Sequence, residues 1–331
     1  MKNILFKIFG KKRIEKWYFN IRLLLNSKYR KSFYLVKKNF LEINDSKKEE
    51  LYKHLSEFFF SSFPNGYLDT DIGKKDMEEH ISNRLFDFRY RTIPWINSLM
   101  PLEQSKVLEI GSGTGCTTVA LVEQGCKLTG IDVNDIYIKA AKKRCELYGL
   151  SANILAMNAT QINKINEKFN LILFSASLEH MTYEERIVSL KLAWNMLENN
   201  GFLAVIETPN RLDYFDWHSS FLPFYHWLPD QIAMQYSKFS PRELCVNSGS
   251  NEMEFIRFGR GASFHEFELA LNTRCSDFEI YSMQSFVKTF VTSIVSEEYK
   301  YNKFLRKLGP PNVSDGFYYS NLYIAIKNKR L

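Results

Sequence analysis

Val107-Leu108-Glu109-Ile110-Gly111-Ser112-Gly113-Thr114-Gly115 decides the reading of this chain. An apolar run ends on an acidic residue, alternating glycines follow, and a helix-compatible pattern begins at Cys116. This predicts a buried parallel strand, a tight turn, and a helix whose N-terminus faces that turn. Glycines at alternate positions let backbone N–H groups approach a ligand with no Cβ in the way. A glycine turn alone is weak evidence, because any strand-to-helix connection can use one. The next strand sharpens it: Cys126-Lys127-Leu128-Thr129-Gly130-Ile131 runs into Asp132, where a carboxylate can hydrogen-bond ribose hydroxyls. A dinucleotide fingerprint would read G-x-G-x-x-G/A, with its last small residue at Cys116. Here the glycines run G-x-G-x-G behind Glu109.

Outward from that turn, strands and helices alternate as a doubly wound sheet requires. Strands are expected at 107–110, up to 132, 152–157, 169–175 and 202–207, with helices at 116–124, 136–148 and 183–197. Residues 320–327 alternate apolar positions and fit an antiparallel last strand. Ligands in such sheets lie beyond the carboxyl ends of the strands. That gathers residues 111–115, Asp132, Asn158, the 175–180 segment and the 207–211 segment around one crevice.

These residues resemble motif I and its surroundings in the class I S-adenosylmethionine (SAM) methyltransferases. The run Phe169-Asn170-Leu171-Ile172-Leu173-Phe174-Ser175-Ala176-Ser177-Leu178-Glu179-His180 is similar to the family's FDLI…S…LEH segment. Leu197-Glu198-Asn199-Asn200-Gly201 is similar to the turn before its fifth strand. The resemblance covers roughly residues 107–210. It implies an α/β fold, a Rossmann-like seven-stranded doubly wound sheet, with an N-terminal helical region and a substrate-shaping insertion after strand five. It also implies SAM as methyl donor and S-adenosylhomocysteine as product. The cofactor contacts it implies are Glu109, Gly111, Ser112, Gly113, Gly115, Asp132, Val133, Asn158, Ala159 and Ser175. Asp132 would hold the ribose hydroxyls and the 111–115 turn the methionine part, with Glu109 orienting the turn or the amino group. Asn158 stands where the family often has Asp, and its carbonyl can still accept from the adenine amine.

Two later pieces resemble bacterial methyltransferases associated with surface-polysaccharide and other glycan gene clusters. They are the segment from Glu207 to Pro229 and Gly259-Arg260-Gly261-Ala262-Ser263-Phe264-His265-Glu266-Phe267-Glu268. A hydroxyl acceptor has a pKa far above neutral, so a general base is expected, and histidine is best tuned for that work. Of six histidines, His180, His218, His226 and His265 fall in or beside the crevice segments. Each has a plainer reading: His180 as a cap, His226 as a packed core residue, His265 as a helix start after Ser263, His218 as an ordinary loop residue. Glu207, Asn210, Arg211, Asp213, Asp216 and Trp217 are the candidate substrate ligands. Glu207, Asp213, Asp216 and His218 could also hold a divalent metal, but their spacing is not diagnostic and no metal is expected from it.

At 331 residues, 45% apolar and 24% charged, the chain reads as an ordinary globular protein. Its Phe and Tyr (27 and 18) spread well beyond the glycine turn, which suggests an aromatic-rich pocket or surface. Five scattered cysteines without C-x-x-C point to reduced thiols in a cytoplasmic protein. The net charge of +7 is local: residues 1–40 hold twelve Lys/Arg against Glu15 alone. This argues against a general nucleic-acid surface. The basic, amphipathic 1–40 segment has no signal-peptide cleavage site and no membrane-spanning length. Two readings stand for it: a helix packed on the core with a solvated basic face, or attachment to the inner face of the membrane or to a glycosyltransferase.

Three regions are expected: 1–100, a basic helical cap; 101–210, the SAM-binding core; 211–331, a substrate-binding insertion plus the last strands. The expected activity is SAM-dependent O-methylation of a sugar or glycan-precursor hydroxyl, with a histidine base. The alternatives are methylation of a quinone-like or lipid small molecule, and a non-catalytic SAM-binding partner of a glycosyltransferase.

Overall fold

The computed structural model of the protein describes residues 23–283, 297–310 and 312–329. Residues 1–22 of the basic stretch 1–40, on which the membrane reading rests, lie outside the described residues.

Seven strands form one sheet in the order β3-β2-β1-β4-β5-β7-β6. They are β1 (Lys106–Ile110), β2 (Lys127–Asp132), β3 (Asn153–Ala156), β4 (Phe169–Ser175), β5 (Leu197–Pro209), β6 (Ile280–Ser282) and β7 (Asn321–Lys327). The first five are parallel, while β7 runs antiparallel to both β5 and β6. This is the Rossmann-like, doubly wound sheet expected from the sequence. The strand order reverses between β1 and β4, so a crevice opens there at the carboxyl ends. The short β6 has no sequence pattern to announce it; three residues are too few for a period to show.

The parallel strands are buried on both faces, which is why they read as near-continuous apolar runs. One face packs Val107, Leu171, Leu173, Ala204 and Ile206 against α6 (Cys116–Val122), α7 (Asp135–Leu147) and the N-terminal helices. The other packs Leu108, Ile110, Ile172, Phe174 and Val205 against α8 (Tyr183–Asn195) and α12 (Phe264–Leu271). Thr182 starts α8 with a capping box to Glu185, and Ser263 starts α12 with one to Glu266.

The described N-terminal helices are part of that core. In α1 (Ser27–Lys37) Tyr29, Ser32, Phe33 and Val36 are buried, as the plainer reading of the basic segment expected, and lysines stay on the outer face. Then come α2 (Asp45–His54) and a helical run over 71–99 containing α3 (Asp71–Glu78), α4 (Arg84–Asp87) and α5 (Ile93–Leu99). Single π turns at Glu79–Asn83 and Phe88–Thr92 join these pieces, and such turns re-aim the side chains beyond them. Arg89 clamps the run to the sheet domain by a buried bidentate pair with Glu123, at 2.9 and 2.6 Å.

After β5 the chain builds a separate helical layer from α9 (Asp230–Tyr236), α10 (Glu243–Ser248) and α11 (Glu252–Phe258). Leu222, Tyr225, Ala233, Cys245 and Phe255 form its own small core. No helix among the described residues is long and apolar enough to cross a membrane. All five cysteines are free and buried.

Candidate active site

The crevice is a cavity of about 960 Å³. The glycine turn forms its floor, residues 76–88 one wall, and His218 and Arg242 of the insertion the other. Gly111, Gly113 and Gly115 all have left-handed φ (86°, 51° and 81°), but they do two different things. A Cβ on Gly111 would lie 2.7 Å from Ser177 Cβ, and one on Gly115 would lie 2.8 Å from Ala141 Cα. On Gly113 it would meet nothing within 4 Å. The first and third glycines let protein pack, and the middle one holds open space facing the cavity.

Asp132 ends β2 nine-tenths buried, with Oδ2 accepting from Gly113 N–H and Oδ1 from Asn134 N–H, both at 3.0 Å. Burial pushes its carboxyl up, against the pull of those N–H groups. The turn and the carboxylate are therefore fixed to one another. Val133, beside it, is 70% exposed and offers an apolar face inside the cavity. Ser112, Ala159 and Ser175 also line it, and Ser175 Oγ lies 3.1 Å from Thr117 Oγ1.

For Glu109 the structure favours orienting the turn over touching the cofactor, and for Asn158 it engages the carbonyl expected for adenine. Glu109 is fully buried beneath the turn, outside the cavity lining, and accepts from Thr118 Oγ1 at 2.6 Å. Burial pushes its carboxyl up to about 8, so it stays protonated near neutrality and orients the turn from behind. Asn158 does line the cavity, but its Oδ1 accepts from both the N–H and the hydroxyl of Thr160, at 2.9 and 2.8 Å. Capping the 3₁₀ turn at Ala159–Lys164 uses both lone pairs of the carbonyl expected for adenine.

The helices ahead of the sheet were expected as a cap, but sequence reasoning did not single out His80 or Arg144. His80 Nδ1 lies 3.0 Å from Thr114 Oγ1, and burial holds its imidazole down at about 3, hence neutral. The wholly buried Arg144 ties the motif to this wall: its guanidinium donates to the carbonyls of Thr114 and His80. Phe59 and Tyr137 stack beside them, with ring centroids 5.2 Å apart. Arg84 Nη2 reaches Glu207 Oε2 at 2.8 Å. Glu207 sits at φ +61° where β5 slips register against β7 between Val205 and Thr208. A bulge there turns the carboxylate into the cavity. The density of Arg and aromatic residues at 84–95 hinted at this wall; which of them face inward depends on the π turns.

The four histidines separate cleanly. His180 and His218 line the cavity, with ring centroids 6.1 Å apart. Burial lowers the His218 imidazole. His226 is only 2% exposed, accepts from Gly261 N–H at 3.0 Å through Nδ1, and places Nε2 3.1 Å from Asp216 Oδ1. It is the packed core residue of the plainer reading. His265 is exposed at the start of α12, stacked on Phe264 and away from the cavity.

Of the substrate candidates only Glu207 lines the cavity. Asn210 is buried and spent on the carbonyls of Phe317 and Tyr319 and the N–H of Leu212. Asp216 is buried and gathers the N–H groups of His218, Ser219 and Ser220. Burial raises its carboxyl, but His226 and those N–H groups outweigh that and hold it well below the usual range. Asp213 is buried beside this loop, Arg211 pairs its backbone N–H with Ala262 O, and Trp217 stacks on Phe215 outside the cavity. Loop backbone needs carboxylates and amides to satisfy it, which is what these residues do. The grouping of Glu207, Asp213, Asp216 and His218 is therefore not assembled; Glu179, His180 and His218 come together instead.

With that geometry in place, residues 107–201 match the family described as "Methyltransferase domain". Together with the strand order and the glycine turn, this makes the segment a class I SAM-dependent methyltransferase domain. SAM is the cofactor of that class, and the open cradle at Gly113, the Asp132 carboxylate and the apolar Val133 fit it.

Among the relatives is the ubiquinone biosynthesis O-methyltransferase of Bartonella bacilliformis, 31% identical over 166 residues, 48% of this chain and 64% of that protein. Its namesake in Coxiella burnetii is 27% identical over 96 residues, 29% of this chain and 41% of that one. The chain thus spans 41% and 64% of the length of these two curated relatives. Among solved structures, magnesium protoporphyrin IX methyltransferase from Synechocystis with bound SAM superposes with a TM-score of 0.37 at 16% identity, covering 50% of this chain and 77% of that one.

Proposed function

We propose that the chain O-methylates a hydroxyl of a small polar acceptor of the sugar or glycan-precursor type, with SAM as donor. Bound SAM supplies an electrophilic methyl group on a sulfonium. The chain's own residues align the reactants and assist the loss of the acceptor's proton. The observation that carries this reading is the bulge of β5. It places Glu207, in a conformation unfavourable for a side chain, against Arg84 in the lining of the cleft. A hydroxyl-rich acceptor suits that ion pair, since both partners can hydrogen-bond hydroxyls. The helical run and the insertion flank the cleft. The proton of the acceptor hydroxyl leaves at the Glu179–His180–His218 cluster.

A second reading is favoured by a specific observation: Phe59, Phe88, Tyr137 and Tyr323 line the same cavity and suit a flat quinol-like acceptor. Docking of residues 1–40 to a membrane surface or a glycosyltransferase belongs to the proposal too, supported by the charge of that segment alone.

Calorimetric titration with SAM, on the natural protein and on Asp132→Ala, is the first test. Tight binding weakened by the substitution supports the reading; no binding, or binding indifferent to Asp132, overturns it. S-adenosylhomocysteine release with sugar nucleotides against catechols then separates the acceptor classes. Binding without release across both panels would favour a non-catalytic SAM-binding protein.

A further inference from the structure

Glu179, in the 3₁₀ turn Leu178–His180 after β4, is completely buried. Its Oε2 accepts from Thr208 Oγ1 at 2.9 Å, but Oε1 is buried with no hydrogen-bond partner among the described residues. Two imidazole nitrogens flank that orphan oxygen, Nε2 of His180 and Nε2 of His218, each 3.9 Å away. That is too long for a hydrogen bond. His180 Nδ1 lies 2.7 Å from the carbonyl of Arg257. A carbonyl only accepts, so Nδ1 carries a proton and Nε2 is the ring atom turned toward Glu179. Lone pairs facing one another across a gap need a positive charge between them. All three ligand atoms lie within 4.8 Å of one another, so a single point can sit a little more than about 2 Å from each, close to a metal–ligand bond length.

The surroundings hold this arrangement. Asp216 gathers the backbone around His218 and is itself fixed by His226. Gly259, at φ +124°, lets its backbone approach both rings; a Cβ there would lie 3.5 Å from His218 Cδ2, 3.6 Å from His180 Cε1 and 2.8 Å from Ser219 Oγ. The Arg257 carbonyl is the outer partner that fixes a ligating imidazole.

We propose that Glu179, His180 and His218 bind one divalent first-row transition-metal ion, with open positions toward the cleft. Two imidazoles and one carboxylate suit manganese, iron, cobalt or zinc better than magnesium or calcium. The use of the ion rests on the methyl-transfer reading above. An acceptor hydroxyl held on the ion gives its proton to water in the cleft, because the ion stabilises the negative oxygen. That oxygen's electron pair forms the new O–C bond while the C–S bond breaks and its pair passes to sulfur. The charged sulfonium thereby becomes a neutral thioether.

The test uses the full chain, stripped with a chelator. Mn²⁺ is titrated by electron paramagnetic resonance and Co²⁺ by visible absorption, with SAM calorimetry on the same samples. The expected result is one ion per chain, a Co²⁺ spectrum showing nitrogen ligation, and binding roughly tenfold or more weaker in Glu179→Gln and His218→Asn. His265→Asn, exposed on α12, should bind the ion unchanged. Retained SAM affinity reports that each variant is folded, and His218→Asn decides if Glu179→Gln is not. No saturable ion binding, or binding equal in the natural protein and both variants, overturns the site. If SAM still binds in that case, the methyltransferase reading survives the loss of the ion. If the ion binds and SAM does not, the site stands and that reading falls.

Discussion

Arg84 and Glu207 lie 123 positions apart in sequence, yet Nη2 of one and Oε2 of the other meet at 2.8 Å. The pair joins the helical run ahead of the sheet to the bulge near the end of β5, spanning the cleft with the Arg84 side chain 35% and the Glu207 side chain 25% exposed.

A side chain at φ +61° costs about 1–2 kcal/mol relative to glycine. Glu207→Gly should therefore leave thermal stability unchanged or slightly raised, since the lost ion pair is solvent-screened and contributes at most about 1 kcal/mol. Acceptor turnover should fall roughly tenfold or more with SAM affinity intact. Thermal unfolding and initial rates measured together check this. A large loss of stability would mean that the strain argument is wrong.

The three glycines of the turn should fail differently. Gly111→Ala and Gly115→Ala press on Ser177 and Ala141 and should each lower stability by about 1–3 kcal/mol. Gly113→Ala meets open space and should lower it by only about 1 kcal/mol, for its φ of +51°. Its larger effect should be on SAM, weakened tenfold or more, because the methyl group fills the cradle. Denaturant unfolding and calorimetry on the three variants give the ranking.

Two buried groups should give opposite pH dependences of stability. Glu109 has its carboxyl raised from 4.5 to about 8, so the folded state holds a proton that the unfolded chain has released. Its contribution is present below the unfolded value and is lost as pH rises toward 8, at about 1.4 kcal/mol per unit as an upper bound. His80 is lowered from 6.5 to about 3, so its contribution is present above 6.5 and is lost as pH falls toward 3. Glu109→Gln should flatten the alkaline side of the stability profile and His80→Gln the acid side. Melting curves from about pH 3 to 9 test both, and an unchanged slope in either variant refutes its assignment.

Asp216→Asn removes the charge that His226 and three backbone N–H groups satisfy. Breaking such a buried pair should destabilise the protein by about 3 kcal/mol. The insertion has its own small core, so the helices α9 to α11 should persist while the loop carrying His218 loosens. Turnover should fall and SAM affinity should hold. Equal losses in both would place Asp216 in support of the whole cleft instead of the His218 loop.

The sheet and the cofactor turn were legible because their signals are local. Strand β4 was expected at 169–175 and is Phe169–Ser175, since an unbroken apolar run buried on two faces has few other uses. Glycines 111, 113 and 115 and Asp132 announced a turn whose geometry depends on their own φ values and on one short carboxylate contact. The acceptor side was not legible in that way. Asp216, Asn210 and His226 have the chemistry of ligands, and only the path of the insertion shows that its buried backbone consumes them. Glu179 was visible as part of a motif but not as the centre of a cluster, because His218 reaches it from 39 positions downstream. By itself the sequence determined the strand pattern, the glycine turn and its carboxylate, through periodicity and backbone conformation. Only the tertiary structure decided which polar side chains keep free atoms toward the cleft, because burial and backbone hydrogen bonding are settled by distant segments packing together.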